Sequence, residues 1–178
     1  MMLYTIGHSN HAFLHLVDLL RMHGVVTVAD VRSRPYSRHC PQFNRDALRK
    51  SLAAHSIDYI FLGKELGGKP DDPECYAADG KPDYGHMAQR PAFREGLDRV
   101  ERLMKDAKTA ILCAEEDPSR CHRRHLIARV LSGEGVHVEH IRGDGSLVPE
   151  TVLAAKDAAG APSQLTLFAA GSAEGNTP

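Results

Sequence analysis

Short apolar runs alternate with amphipathic segments along most of this chain, and that alternation restricts the fold more than any other feature. Residues 3–7, 25–31, 57–62, 109–114 and 136–141 are five such runs, several of them rich in β-branched side chains. Strands buried on both faces of a parallel sheet have this composition. Between the runs, Phe13, Leu16, Val17 and Leu20 repeat at helical spacing and stop at Gly24. Asn44 stands where an N-cap belongs, with Phe43 placed to pack on Leu48 across the first turn. Phe93, Leu97, Val100, Leu103 and Met104 share one face of a helix opening at Pro91. Asp117 followed by Pro118 gives a cap and first-turn proline for a further helix carrying Leu126, Ile127, Val130 and Leu131 inward. Strand and helix in repeated alternation predict a single α/β domain: a mainly parallel, five-stranded, Rossmann-like sheet with helices on both faces.

The 178 residues suffice for one well-buried domain and not for two ordinary ones. Residues 1–150 are expected to form it. Residues 63–90, rich in Gly, Pro, Asp and Lys, read as a long functional loop. From residue 151 to 178 Ala, Gly, Ser and Pro dominate, which predicts a flexible tail. A net charge of -1 excludes a generally basic nucleic-acid coat but leaves room for a local cationic patch. Arg32, Arg34, Arg38, Arg45 and Arg49 fall close together, and guanidinium suits bidentate contacts to an anion. No run approaches the length of a membrane span, and residues 1–6 do not read as a secretory signal. The expectation is a cytoplasmic protein whose four cysteines are reduced.

Ligands of open parallel sheets bind outside the carboxyl ends of the strands. Four of the five runs end there in polar or glycine-rich segments. They are Gly7-His8-Ser9-Asn10, Asp30-Val31-Arg32-Ser33-Arg34, Gly63 before Leu66-Gly67-Gly68, and Cys113-Ala114-Glu115-Glu116-Asp117. Asp30 and Glu115 are the candidate catalytic carboxylates, able to divide acid–base and stabilising roles if their surroundings separate their pKa values. His122 joins them as a third catalytic candidate. His8, Ser9, Asn10, Arg32, Arg34 and Arg123 are candidates for holding substrate phosphate, with Arg123 in a helix start that makes an anion seat. The competing structural roles are ion pairs of Asp30 with Arg32 and of Glu115 with Arg123. Tyr36, Tyr59, Tyr76 and Tyr84 are available to stack on a base or simply to pack.

The thiols read differently. Cys113 fits a small core residue, although a thiol at a strand end and a second, Cys121, at a helix start also make a reactive pair. Cys113, Cys121, His122 and His8 have metal-ligand chemistry, but a Cys-x7-Cys-His spacing is unlike paired zinc knuckles. No metal and no cofactor is expected.

Taken in order, Thr5-Ile6-Gly7-His8-Ser9-Asn10, Asp30-Val31-Arg32, Leu62-Gly63 with Leu66-Gly67-Gly68, and Cys113-Ala114-Glu115 through Cys121-His122-Arg123 resemble the domain-of-unknown-function family 488. The resemblance spans about residues 3 to 142. It supports the domain boundary and the motif set, while the chemistry rests on the residues themselves.

A separate motif lies in the tail. Gln164-Leu165-Thr166-Leu167-Phe168 resembles the pentapeptide by which bacterial DNA repair and replication proteins engage the β sliding clamp, with Gln164, Leu165, Leu167 and Phe168 as the anchors. The leading expectation is therefore a DNA-repair or nucleic-acid-processing protein recruited by the clamp. Its phosphate- or nucleotide-binding cleft would cleave or transfer at an N-glycosidic or phosphoester bond, as a hydrolase or transferase. A nucleotide enzyme unrelated to DNA and a non-catalytic nucleic-acid-binding module are the alternatives, and a thiol or metal enzyme centred on Cys113 and Cys121 is a third.

Overall fold

The computed structural model describes residues 1–160. Strands β1 (Met2–Gly7), β2 (Thr27–Asp30), β3 (Asp58–Phe61), β4 (Thr109–Cys113), β5 (His137–Ile141) and β6 (Leu147–Pro149) form one sheet in the order β3-β2-β4-β1-β5-β6. β1 to β5 are parallel. β6, absent from the five-strand expectation, pairs antiparallel with β5 at the edge. It was missed because three residues after a tight turn carry no periodic signal.

Helices cover both faces. α1 (Phe13–Met22) and α2 (Arg45–Ala53) bury Leu16, Val17, Leu19, Leu20, Leu48 and Leu52 against Tyr4, Ile6, Val28, Ala110 and Leu112. The opposite face carries the short α3 (Gly63–Leu66) and α4 (Tyr84–Ala88), the long α5 (Pro91–Asp106), and α6 (Arg129–Gly133). There Leu66, Phe93, Leu97, Val100, Leu126 and Leu131 meet Leu3, Ala29, Ile111 and Val138. Successive strand residues thus serve opposite layers, as the two-residue period of a strand requires.

Two local expectations change. Asn44 precedes α2, but its side chain caps no helical amide; its Oδ1 accepts from the Ser37 amide at 2.7 Å and ties down the loop after β2. Asp117-Pro118 opens only a 3-10 turn, Pro118–Arg120, with the Asp117 carboxylate on the Ser119 amide. The chain then enters a π-helical segment, Arg123–Ala128, that leads into α6. Such segments concentrate at functional sites.

Order does not weaken at residue 151. Helix α7 (Glu150–Gly160) starts directly after β6 and is anchored by charge. Arg124 Nε donates to Glu150 Oε2 at 3.0 Å, and Arg124 Nη2 donates to Asp157 Oδ2 at 2.8 Å. Both Arg124 and Glu150 are buried, and Glu150 also accepts from His140 Nε2 at 2.8 Å. The Ala-rich stretch hid this helix because its hold is ionic rather than an apolar stripe. The clamp-like peptide at residues 164–168 lies outside the described residues. No helix among the described residues is long and apolar enough to cross a membrane.

Removing one partner of a buried ion pair strands the other charge and costs about 3–5 kcal/mol. Arg124→Ala should lower the unfolding free energy by that amount in urea titration, against less than about 1 kcal/mol for the exposed Arg49→Ala, whose Asp46 partner is solvated.

Candidate functional site

The strand order decides where a cleft opens. β4 lies between β2 and β1, and its crossover to β5 runs over one face. The crossovers leaving β1 and β2 pass through α1 and α2 on the other. Adjacent strands whose connections diverge leave a crevice beyond their carboxyl ends. His8, Arg32 and Cys113 are delivered to that crevice by β1, β2 and β4.

The β2 end is a dense polar cluster. Asp30 Oδ1 accepts from the Arg32 amide at 3.1 Å and from Arg32 Nε at 2.9 Å. Its Oδ2 accepts from Arg32 Nη2 at 2.6 Å and from the Tyr59 hydroxyl at 2.7 Å. Arg32 also donates through Nη2 to the Phe43 carbonyl, at 2.9 Å, and through Nη1 to His8 Nε2, at 2.9 Å. A guanidinium only donates, so His8 Nε2 is the bare nitrogen and Nδ1–H bonds the Ser9 carbonyl at 2.7 Å. Burial, reinforced by the Arg32 charge, pushes the His8 pKa down to about 4. Burial and the adjacent Asp30 carboxylate push the Tyr59 phenol up.

The β4 end carries the thiols. Cys113 Sγ lies 3.7 Å from His122 Nδ1, and Cys121 Sγ lies 3.9 Å from the same nitrogen. His122 Nε2 contacts the Val31 carbonyl at 3.1 Å. A carbonyl only accepts, so in the neutral ring the proton sits on Nε2 and the Nδ1 lone pair faces both sulfurs. A hydrogen bond from Cys121, the buried Arg123 charge and the amides of Ala114 and Glu115 bring the Cys113 thiol down to about 7 despite its burial. Cys121, as donor to Cys113 and itself buried, is pushed up to about 12. The two thiols are thus pushed in opposite directions, Cys113 down and Cys121 up.

Two close approaches hold this geometry. Gly7 lies against the Glu115 backbone, where a Cβ would overlap the Glu115 carbonyl. Gly68 lies against the imidazole of His122, where a Cβ would overlap ring atoms. Beneath the loop after β4, Arg123 is fully buried. It donates to the Glu115 carbonyl, to the Glu116 carbonyl at 2.6 Å and to Thr5 Oγ1 at 3.2 Å.

Above these residues opens a cleft of about 590 Å³. Arg32, Arg34, Lys69 and Arg120 contribute cationic side chains to its lining, Tyr76 and Tyr84 aromatic ones, and Cys113, Cys121 and His122 its floor. Glu115 is the one carboxylate among the described lining residues. A second cavity of about 400 Å³ shares Ser33, Arg34 and Lys69 with it and continues towards Phe93.

Residues 13–130 match the model of the domain of unknown function DUF488. The chain belongs to this family. No curated protein and no solved structure gives a significant match. The DUF488 match covers the Asp30-Val31-Arg32, Gly67-Gly68 and Cys113-to-Arg123 motifs and begins after the Gly7-to-Asn10 segment.

Within the DUF488 domain the expected site residues separate into three groups. Arg32, Arg34, Glu115 and His122 line one cleft. Asp30, His8 and Arg123 are buried beside or beneath it with their polar atoms engaged by protein, so they orient the loops rather than face a ligand. Ser9 and Asn10 stand apart from the cleft lining, with Ser9 in a left-handed conformation at φ 47° and its amide on the Ala114 carbonyl. Lys69 and Arg120 were not foreseen. Their signal was position: one follows the Gly67-Gly68 pair, the other immediately precedes Cys121.

The lowered pKa of His8 makes a pH prediction. The unfolded chain binds a proton near pH 6.5 that the fold refuses until about pH 4. Stability is therefore full above pH 6.5 and falls as the pH drops towards 4, by about 3 kcal/mol in all. His8→Gln should remove the His8 share of that dependence in urea titrations at pH 7 and pH 4.5, while the share due to His140, whose pKa burial also lowers, remains.

Proposed function

We propose that this DUF488 domain is an enzyme, a hydrolase or transferase, that acts on a phosphate-bearing, nucleotide-like substrate. The observation that carries the reading is the convergence, in one cleft, of Cys113, Glu115 and His122 with the cations of Arg34, Lys69 and Arg120. Cationic side chains on the rim suit phosphate, and Arg supplies the planar fork that phosphate oxygens match. Tyr76 and Tyr84 offer faces for a base. Glu115, exposed on the wall, is the acid–base group best placed to meet a substrate, and His122 is the second. Asp30 serves by fixing Arg32, and Arg123 by shaping the loop that presents Glu115.

Recruitment to DNA by the β sliding clamp through residues 164–168 completes the proposal. Its support is the pentapeptide itself, with Gln164, Leu165, Leu167 and Phe168 in the order the clamp groove reads. Nucleic acid is then the substrate form that the cleft meets first, and the shared rim of the two cavities gives a strand room to run.

Fluorescence anisotropy with a labelled single-stranded oligonucleotide and with a labelled nucleoside diphosphate tests the cleft. Each phosphate contact should contribute about -0.7 to the slope of log affinity against log salt for the single strand. Converting Lys69 and Arg120 together to Ala should weaken binding about tenfold or more and flatten that slope. Nucleotide binding without oligonucleotide binding would transfer the reading to a small-molecule enzyme, and salt-dependent binding of neither would remove it. Independently, deletion of residues 164–168 should abolish capture of the protein by immobilised clamp while leaving oligonucleotide affinity unchanged. Capture that survives the deletion contradicts recruitment through this peptide.

A further inference from the structure

The three ligand-type atoms on the cleft floor have a spacing that the thiol chemistry alone does not require. Cys113 Sγ, Cys121 Sγ and His122 Nδ1 all lie within 4.8 Å of one another, with the two nitrogen–sulfur separations at 3.7 and 3.9 Å. In a tetrahedral zinc site, Zn–S near 2.3 Å and Zn–N near 2.0–2.1 Å set the nitrogen–sulfur edge at about 3.6 Å and the sulfur–sulfur edge at about 3.8 Å. Both nitrogen–sulfur edges thus match one face of such a tetrahedron within a few tenths of an ångström, and the sulfur–sulfur edge is no longer than 4.8 Å.

The surroundings point the same way. A metal-bound imidazole commonly gives its other N–H to a carbonyl or carboxylate, which fixes the ring and its tautomer. His122 does so through Nε2 to the Val31 carbonyl, leaving Nδ1 aimed at the sulfurs. Gly68 permits the ring to stand there. Cys113 is held by the sheet, opposite Gly7 in the β1–β4 register with its carbonyl on the His8 amide at 3.0 Å. Cys121 is held by the 3-10 turn, its amide on the Pro118 carbonyl at 3.1 Å. Cys113 and the adjacent pair Cys121-His122 are therefore held by two backbone elements, the end of β4 and the turn that follows it.

We propose that Cys113, Cys121 and His122 bind one thiophilic divalent transition-metal ion, zinc in the first instance, with a fourth coordination position open to the cleft. Two thiolates and an imidazole select zinc over the hard cations magnesium and calcium. Three protein ligands and an open position are the pattern of catalytic rather than structural zinc sites. The open position faces the space assigned above to the substrate, so the metal's catalytic role rests on that reading. Its binding does not.

The test uses the full-length, metal-stripped protein under a non-thiol reductant and contains no nucleotide or nucleic acid. Titration with cobalt(II) should saturate at one equivalent, with sulfur-to-cobalt charge-transfer absorption in the near ultraviolet and intense tetrahedral d–d bands in the visible. Zinc should displace the cobalt and bleach both. Cys121→Ser should weaken cobalt affinity at least tenfold and reduce the charge-transfer intensity towards that of one thiolate. Gly68→Ala, which leaves all three ligands in place but crowds His122, should weaken it about 10- to 100-fold. Cys40→Ser, a thiol outside the triad, should leave stoichiometry and spectrum unchanged. Circular dichroism of each variant checks the fold. Binding far below one equivalent, cobalt bound without charge-transfer bands, or a wild-type spectrum retained in Cys121→Ser would each overturn the site. None of those outcomes touches the anion-binding measurements, and loss of anion binding leaves the cobalt result standing.

Discussion

The site depends on a buried cation. Arg123 has no exposed surface, and its guanidinium meets two backbone carbonyls and a hydroxyl rather than a directly bonded carboxylate among the described residues. A buried charge held by neutral dipoles is costly unless counter-charge lies near, because desolvation is repaid only by well-placed partners. The Cys113 thiol lies near enough to feel it: after the hydrogen bond from Cys121, the Arg123 charge is one of the influences that lower that thiol. The same contacts fold the loop after β4 back on itself, so that Glu115 points outward while its carbonyl points in. One residue therefore sets the loop path and contributes to lowering the thiol beside it.

Arg123 is in turn linked to the far edge of the sheet. Thr5 Oγ1, which accepts from Arg123, lies 2.7 Å from His140 Nδ1, and His140 Nε2 reaches Glu150 at the start of α7. Arg124, the next residue in the chain, holds Glu150 and Asp157. Two adjacent arginines divide the work: Arg123 binds the site loop and Arg124 binds the terminal helix. Their placement in a π-helical segment accommodates both, since the wider turn presents successive side chains at spacings that an α-helix does not offer.

Much of this was legible in the residues, and what was not has a physical reason. The five parallel strands could be read because strands buried on both faces need uninterrupted apolar runs, and the cleft's position followed from where those runs end. The Asp30–Arg32 pair was legible because the two residues lie two apart at the end of one strand. Its engagement by Tyr59, Phe43 and His8 was not, since those partners come from three other segments. Helix α7 was hidden because its hold on the domain is ionic. Cys113, Cys121 and His122 were legible as ligand chemistry, but their spacing argued against a shared site. An eight-residue separation between cysteines matches no short ligand motif, and only the 3-10 turn Pro118–Arg120 brings the second thiol back over the end of β4.

The division between buried and exposed polar groups also explains why the strongest motif residues are not the best ligand contacts. Asp30 and His8 have their polar atoms engaged by Arg32, Tyr59 and the Ser9 carbonyl, and Arg32 gives most of its donors to Asp30, His8 and the Phe43 carbonyl, so substitution there acts largely through fold and loop position. The groups that retain capacity towards the cleft sit one step further out: Arg34, Lys69 and Arg120 on the rim, Glu115 on the wall, and the Nδ1 lone pair of His122 with the two sulfurs on the floor. A floor of soft donors beneath a rim of hard cations is poorly matched to a single undecorated anion. It is well matched to a ligand whose phosphate stays at the rim while a second group reaches down, or to a metal that converts the floor into an electrophilic centre facing the same phosphate.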